Sequence, residues 1–575
     1  MKYPEIDDEN FYKKINNIYK NFTIPNKKIS YNNTCIPKTY QLQMPQQFLS
    51  KFIDNKTPYR GVLIYHRIGS GKTCTSIRIA EKWKYIKKII IVLPASLKGN
   101  FRNELRTLCA ENNYLKPEER QKLAKLHPSD DKYKSIIHKS DERIDKYYKI
   151  YSYNKFVDMT QQNKIKLNNT LLIIDEIQNM ISENGIYYNS LYTLIQNSPK
   201  DLRIVLLSAT PMFNKPNEIG LIMNLLRPSI EFPIGKSFDD YFIDIKKKNN
   251  SIKYSIKHLD EFKNMIKGYI SYFRGAPSYV FPHMYIKYVK CDMSDFQYSS
   301  YKAILKNEAH NSDIKKLKKN IEKDLNMSHL PNNFFIGTRY ASNIVFPNKK
   351  VGEFGFKSLT YKKIQENLQL YSTKFDTIIN KINKSTGKIF VYSSFKEYAG
   401  LKSFTKILEA NGYKNYAKYN EGHKRFAIWS GDENIKYKEE IKAVFNMKEN
   451  LYGFKLKMIL GSSSVKEGVS FTGVRQVHIL DPYWNWPRLS QVIGRANRFC
   501  SHKDLPEDKR NVKVYIYLAT YPSESLTIDE YIHKLSLHKN ILISKFENVI
   551  KKTALDCTLN KYANIDEENQ YDCQL

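Results

Sequence analysis

Eight short runs of almost unbroken apolar residues constrain this chain more than any other feature. They are Val62–Tyr65, Ile89–Leu93, Leu171–Ile174 and Ile204–Leu207, then Ile389–Tyr392, Met458–Leu460, Val477–Leu480 and Val514–Leu518. A strand that is apolar on both faces needs cover on both. That is the condition of a central strand in a parallel sheet flanked by helices. Helix-like stretches such as Lys72–Tyr85 and Leu489–Arg498 alternate with the runs. Strand alternating with helix predicts an α/β fold.

The runs fall into two sets, which sets the expected organisation. Residues 1–39 form an N-terminal extension and 40–232 a first lobe. Residues 233–384 read as a partly helical insertion: they are polar and Lys-rich, with helix-like spacing over Phe296–Lys323. Residues 385–525 form a second lobe, and 526–575 a helical C-terminal segment ending in an acidic tail. No internal repeat is visible.

The chain has 575 residues and a net charge of +35, from 93 Lys and Arg against 58 Asp and Glu. An excess of that size favours a polyanionic partner, most simply nucleic acid. A coding sequence rich in A and T is the other source of so many Lys, Asn, Ile and Tyr. The seven cysteines contain no C-x-x-C pair. That argues against a zinc ribbon and a disulfide framework, and fits a reducing compartment. The N-terminus is charged and lacks the apolar core of a signal peptide, and no apolar run is long enough to span a membrane.

The first chemistry-bearing pattern follows Val62–Tyr65. It is His66-Arg67-Ile68-Gly69-Ser70-Gly71-Lys72-Thr73, running into a helix-like stretch. Glycines let backbone N–H groups curl round a phosphate. Lys72 neutralises its charge, and Thr73 offers a hydroxyl to Mg²⁺. His66 stands where the full phosphate-loop pattern has its first Gly. The second pattern is Asp175-Glu176-Ile177-Gln178, directly after Leu171–Ile174. Carboxylates at the C-terminal end of a buried strand sit where such sheets bind ligand. Here Asp175 is read as the Mg²⁺ ligand and Glu176 as the residue that orients and deprotonates the attacking water.

With these motifs the sequence resembles the superfamily 2 helicases and translocases over about residues 35–525. Motif I is Gly69–Thr73, Ia Leu93–Ser96, II Asp175–Gln178 and III Ser208-Ala209-Thr210. Motif IV lies around Val391–Phe395, V is Gly461–Ser470, with Glu467-Gly468 near its centre, and VI is Gln491–Arg498. Ser208–Asn214, Glu218 and Leu225–Pro228 are similar to the Swi/Snf-type branch. Gly268–Gly275, Arg339–Pro347, Asp481–Asn485, Arg498–His502 and Ala554–Cys557 resemble the ATPases of nucleocytoplasmic large DNA viruses. That group includes the poxvirus-type early transcription factor small subunit and the nucleoside triphosphate phosphohydrolase I type. The choice between them stays open. Gln178 departs from the usual fourth residue of motif II and leaves its contact with the second lobe open.

The resemblance implies two RecA-like parallel-sheet lobes, with ATP and Mg²⁺ as cofactors. Nucleotide contacts would come from Gly69, Ser70, Gly71, Lys72, Thr73, Glu467, Gly468 and Gln491. Gln47 would read adenine, with Gln46 as the alternative. Arg495 and Arg498, three apart on an expected helix, would act as arginine fingers. Nucleic acid, DNA ahead of RNA, would meet Pro94-Ala95-Ser96, Arg102, Ser393-Ser394 and Ser462-Ser463-Ser464. The Lys clusters at 246–248 and 315–319 would add electrostatic affinity. Trp484 and Trp486 read as packing residues rather than stacking platforms, and Cys500 and His502 as packing rather than metal ligands. The expected role is a nucleic-acid-dependent ATPase of viral transcription. The alternative is an early-transcription-factor subunit that binds promoter DNA with a large-subunit partner. Viral RNA polymerase is a further expected partner. The expected place is the viral factory in the host cytoplasm, and the virion.

Overall fold

The computed structural model describes residues 3–26, 30–36, 40–126, 130–248, 251–276, 278–308, 334–466, 469–524, 526–565 and 572–573. Lys315, Lys316, Lys318, Lys319, Glu467 and Gly468 lie outside the described residues. The chain divides into two compact units. Unit 1 is Met1–Ser278 with Ile541–Leu575, and unit 2 is Tyr279–Asn540.

Unit 1 is built on a six-stranded sheet. Its strands are β1 (Gly61–His66), β2 (Lys88–Leu93), β3 (Tyr148–Ser152), β4 (Thr170–Ile174), β5 (Arg203–Ser208) and, past a β6–β7 hairpin (Ile243–Lys248 and Ser251–Ile256), β8 (Ile270–Phe273). The order is β3-β2-β4-β5-β1-β8, and every neighbouring pair is parallel. All four first-half apolar runs are strands of this sheet. β1 and β4 are buried along their whole length, as strands covered on both faces must be. The helix Cys557–Asn564 also belongs to this unit, with the amide of Leu555 donating to Ile270 O at 2.8 Å.

Unit 2 has a seven-stranded sheet. Its strands are β9 (His283–Asp292), β10 (Lys388–Tyr392), β11 (Lys414–Asn415), β12 (Arg425–Trp429), β13 (Met458–Gly461), β14 (Val474–Ile479) and β15 (Asn511–Thr520). The order is β11-β12-β13-β10-β14-β15-β9, again parallel throughout. β9 pairs with β15 from His283 against Asn511 to Asp292 against Thr520. Both units are α/β with parallel sheets, the architecture of RecA-like lobes.

The stretch 233–384, read from the sequence as one joining insertion, divides between the units at Ser278 and Tyr279. Its first part supplies β8 to one sheet and its second part β9 to the other. Helices Asp295–Glu308, Ile336–Asn343, Gly352–Ser358, Tyr361–Tyr371 and Thr373–Asn383 complete it within unit 2.

Candidate nucleotide site

β1 delivers the chain into a turn that only glycine makes easily. Gly69 and Gly71 have φ of 86° and 77°, in the left-handed region. A Cβ on Gly71 would also stand 2.6 Å from Gln46 Nε2. The helix Lys72–Trp83 starts immediately after, so its first N–H groups close the turn. Lys72 Nζ donates to the carbonyls of His66 at 3.0 Å and Arg67 at 3.4 Å, which curls it back over the loop. The Ser70 hydroxyl is buried without a hydrogen-bond partner among the described residues. A turn with no Cβ at Gly69 and Gly71, and with a cation beside it, fits a phosphate group.

β4 delivers Asp175 and Glu176 at the same end of the sheet. Asp175 is almost fully buried. Burial raises its carboxyl above the usual range, the charge of Glu176 adds to the rise, and Lys72 opposes it. Glu176 takes the left-handed conformation at φ 51°, rare for a residue with a side chain. Its amide donates to Asp175 Oδ1 at 2.9 Å. Tyr153 Oη donates to the carbonyls of Asp175 at 2.5 Å and Glu176 at 3.0 Å. Gln178 Nε2 donates to Glu176 Oε2 at 2.7 Å, and Ser208 Oγ donates to Gln178 Oε1 at 2.6 Å. The unusual fourth residue of motif II is therefore the link to motif III within unit 1. Carboxylate and hydroxyl oxygens are hard donors and suit Mg²⁺.

His66 replaces the expected first glycine, and the structure shows what it does there. It is fully buried, and its Nε2 shares a 2.8 Å hydrogen bond with Ser271 Oγ on β8. Ser271 Oγ in turn donates to Asp556 Oδ2 at 2.6 Å. Asp556 also accepts from the amide of Tyr272 at 3.0 Å and from Asn560 Nδ2 at 2.9 Å. Gly275, at φ 109°, leaves room for Ser70, whose Cβ would be 3.1 Å from a Cβ there. Segments 268–275 and 554–557 thus brace the phosphate loop from behind. The sequence flagged both segments by resemblance alone, and nothing in their spacing joined them to His66.

Of the two glutamines, Gln46 rests on the loop, with Nε2 donating to Gly71 O at 3.4 Å. Gln47 turns its Nε2 to Leu42 O at 3.0 Å. The cysteine reading needs correction. Cys74, next to Thr73, is bonded to Cys109, and Cys557 to Cys573. The partners are 35 and 16 residues apart, a separation that no local spacing rule reports. No disulfide framework was expected, yet unit 1 carries these two bridges.

In unit 2 the expected helix Leu489–Arg498 stops at Ile493. The amides of Arg495 and Ala496 reach back three residues, to Val492 O and Ile493 O, so the chain tightens out of the α-helix. Arg495 and Arg498 therefore do not share a helical face. They converge on one carbonyl instead. Arg495 Nη1 donates to Val469 O at 3.4 Å and Arg498 Nη2 to the same oxygen at 3.1 Å. Arg495 is 5% exposed, Arg498 and Gln491 half-buried.

The comparisons follow the same division. The profile of the SNF2-related domain matches residues 31–337, and that of the helicase conserved C-terminal domain matches 373–500. The chain is an SNF2-related helicase. It is 52% identical to a candidate ATP-dependent RNA helicase, R563, of Acanthamoeba polyphaga mimivirus, over 98% of this chain and 97% of that one. It is 29% identical to a candidate helicase, 087L, of Invertebrate iridescent virus 3, over 92% of this chain and 55% of the relative. It is 26% identical to the termination factor NPH-I homolog of African swine fever virus, over 87% of this chain and 77% of the relative. As an SNF2-related helicase it is an ATP-dependent helicase or translocase of viral kinship, from a family that binds nucleic acid.

Several residues nominated for strand contact in this SNF2-related helicase are engaged elsewhere. Arg102 is held by Asp141 at 2.7 Å and Asp145 at 2.5 Å. The Ser393 hydroxyl donates to Asp481 Oδ1 at 2.5 Å, and the Ser394 amide to Asp481 Oδ2 at 2.9 Å. Ser393 shapes the turn after β10 rather than facing solvent. Trp484 is fully buried and stacks on Tyr483 at 4.0 Å, and His502 is buried and bonded to Val474 O at 2.8 Å. Among the described residues no helix is long and apolar enough to cross a membrane.

Proposed function

We propose that this helicase hydrolyses ATP with Mg²⁺ and uses the cycle to translocate on or remodel nucleic acid, DNA ahead of RNA, during viral transcription. One observation carries the reading. The phosphate loop after β1 and the carboxylate pair after β4 lie at one end of one sheet, close enough for the Lys72 charge to act on Asp175. Lys72 and the amides of Gly69–Thr73 bind the β- and γ-phosphates. Thr73 and Asp175 hold Mg²⁺, which neutralises phosphate charge. Glu176, fixed by its own backbone bend and by Gln178, takes the proton of the attacking water. Arg495 and Arg498 stabilise transition-state charge, with Gln491, Glu467 and Gly468 as further nucleotide contacts. Gln47 is the proposed adenine contact, and Gln46 shapes the loop.

The name of the African swine fever virus relative supports a role in transcription; that of the mimivirus relative keeps RNA as a substrate to be tested. The second reading, an early-transcription-factor subunit with a large-subunit partner, rests on the resemblance of segments 268–275, 339–347, 481–485, 498–502 and 554–557 to a viral ATPase group that includes such a subunit. In either role viral RNA polymerase is the natural partner, with the viral factory and the virion as the places of action. The deciding experiment is an ATPase assay with single-stranded DNA, double-stranded DNA and RNA as separate activators. Lys72→Ala should weaken nucleotide binding, and Glu176→Gln should keep binding and stop turnover. Parental turnover in Glu176→Gln would overturn the assignment of the base. Specific promoter binding only with a second viral subunit would favour the second reading.

A further inference from the structure

Unit 1 has a second concave site, at the opposite end of its sheet from the phosphate loop. It is a hollow of about 510 Å³ lined by seven lysines, three tyrosines, four isoleucines and one asparagine. Its floor is one face of β2 and β3. Lys88 and Ile90 alternate along β2, Lys149 and Tyr151 along β3, and Ile90 is in register with Lys149. Residues two apart on a strand share a face, so these side chains line one surface. The walls are the turn after the helix Lys72–Trp83, the turn after the helix Asp131–Asp145, and the loop 164–166. Lys88 opens β2 and Asn169 immediately precedes β4, whereas Asp175 follows the last residue of β4. With about 3.3 Å per residue, the strands put the hollow roughly 15–20 Å from the nucleotide end.

The charges in this hollow are unbalanced. Lys84 is paired with Glu81 at 2.6 Å and Lys87 with Asp201 at 3.1 Å, and both are nearly buried. Lys88, Lys146, Lys149, Lys164 and Lys166 are all exposed, and none makes an ion pair among the described residues. No acidic residue lines the hollow. Concentrated cations without counter-charge repel one another, so the site is completed by an anion. The lining holds lysine and no arginine. Arginine matches a carboxylate with a bidentate fork, whereas lysine acts as a point charge and suits phosphates spaced along a flexible backbone. Tyr85 is 78% exposed and meets Tyr147 edge-on at 5.5 Å, with Tyr151 half-buried on the floor. Tyr85 is the one exposed ring of the three, while Lys84 and Lys146 lie over Tyr147; an exposed ring beside lysines is the pairing that holds single strands, because bases stack and phosphates find cations.

We propose that this hollow is an auxiliary binding site for single-stranded nucleic acid, separate from the nucleotide end of the lobe. It anchors one or two nucleotides with no sequence preference, because lysine–phosphate contacts and stacking read no base edges. A helicase with such an anchor keeps hold of a displaced strand or transcript while its ATP site cycles.

The test uses the full chain, a 20-mer of thymidine carrying 5-iodouridine, and polyglutamate of equal charge. Irradiation of the complex should cross-link the strand to peptides containing Tyr85 or Tyr147. Tyr85→Ala should weaken strand binding about tenfold. Replacing Lys88, Lys149 and Lys166 by Gln should reduce the slope of log affinity against log salt by about 2. ATPase activity without strand should be unchanged in both variants, which reports that they are folded. Strand-stimulated ATPase of the parent, measured in the same preparation, tests the proposed function separately. Cross-links confined to other peptides, with an unchanged salt slope, would overturn the proposal. So would loss of polyglutamate binding with strand binding intact, which would mark the hollow as a seat for an acidic protein segment.

Discussion

The carboxylate of Asp556, close to the C-terminus, accepts a 2.6 Å hydrogen bond from the hydroxyl of Ser271, which is itself 2.8 Å from the imidazole of His66 at the mouth of the phosphate loop. Lys72 then closes the chain on the His66 carbonyl at 3.0 Å. The helix Cys557–Asn564 and the Asp556 that precedes it are thus part of the nucleotide site's support. A loop whose glycines leave it free to move needs such a frame, because phosphate binding depends on N–H groups held in place.

Removing Asp556 should expose that dependence. Asp556→Ala strands the buried Tyr272 amide and one N–H of the Asn560 side chain, whose nitrogen keeps its bond to Tyr272 O, and leaves the Ser271 hydroxyl with His66 alone. Each unsatisfied donor costs about 1–3 kcal/mol. A loss of about 3 kcal/mol in unfolding free energy is expected from urea titration, with a higher KM for ATP. Asp556→Asn keeps one acceptor oxygen and should lose less. An unchanged KM in a folded Asp556→Ala protein would separate the C-terminal segment from the nucleotide site.

Gln178 leads to a second expectation. It holds Glu176 Oε2 with its Nε2 and takes the Ser208 hydroxyl on its Oε1. Gln178→Ala should leave ATP binding intact, since the phosphate loop is untouched, and lower kcat by about tenfold or more as Glu176 loses its orientation. Gln178→Glu should be worse, because it sets a second carboxylate against Glu176 and removes the hydrogen bond that Gln178 donates to it. Single-turnover kinetics with equilibrium ATP binding check both. A KM effect without a kcat effect would contradict the positioning role.

One part of the pH dependence of stability follows from His66, opposed by the carboxyls of Asp175, Asp239 and Asp556, which burial raises. Burial, with the Lys72 charge adding, holds its imidazole well below the usual 6.5, so it stays neutral in the folded protein. The unfolded chain takes up the proton as pH falls through 6.5 and the folded one does not. The stability this group contributes is therefore complete above pH 6.5 and lost as pH falls below it. One such group amounts to about 1 kcal/mol between pH 6.5 and 5.5. His478 and His502, lowered by burial to about 3 and about 4, act in the same direction. His66→Gln should reduce the difference in unfolding free energy between pH 7.5 and 5.5 by about that 1 kcal/mol. A difference identical to the parent's would mean His66 is protonated in the fold.

The sequence revealed most where the chemistry is local. All eight apolar runs mark strands, with only Leu480 falling one residue past its strand, because a strand covered on both faces leaves no polar face to disguise it. Five strands of the two parallel sheets, β3, β8, β9, β11 and β12, fall outside those runs, and β3 and β9 show the opposite pattern. Each pairs with the sheet along one edge only, and each mixes Lys and Tyr into an otherwise strand-like stretch. β9 accordingly falls within the stretch 233–384 that the sequence marks as an insertion. The phosphate loop and the Asp175-Glu176 pair were legible because spacing along the chain is their geometry. The link from His66 through Ser271 to Asp556 was not, since three distant segments meet only in the fold. Arg495 and Arg498 show the limit of periodicity: helical spacing continued in the sequence after the helix had tightened and ended.

The last expectation rests on where those two arginines meet. Both guanidiniums donate to the carbonyl of Val469, in motif V. One oxygen that receives two cations ties the conformation of motif V to motif VI. If the arginines stabilise charge in the transition state, removing either should cut kcat far more than ATP affinity, by an order of 10³ for a full finger. Arg498→Lys is the sharper test. It keeps the positive charge but lacks the planar fork with which Arg498 spans Val469 O and Gly494 O, the latter at 3.0 Å from Nε. A lysine that restores turnover would mean that charge alone matters there. A lysine as inactive as alanine, with ATP still bound, would mean that the geometry around Val469 carries the effect. Normal turnover at saturating strand, with only strand affinity lost, would move both residues out of the nucleotide site and onto the nucleic-acid path.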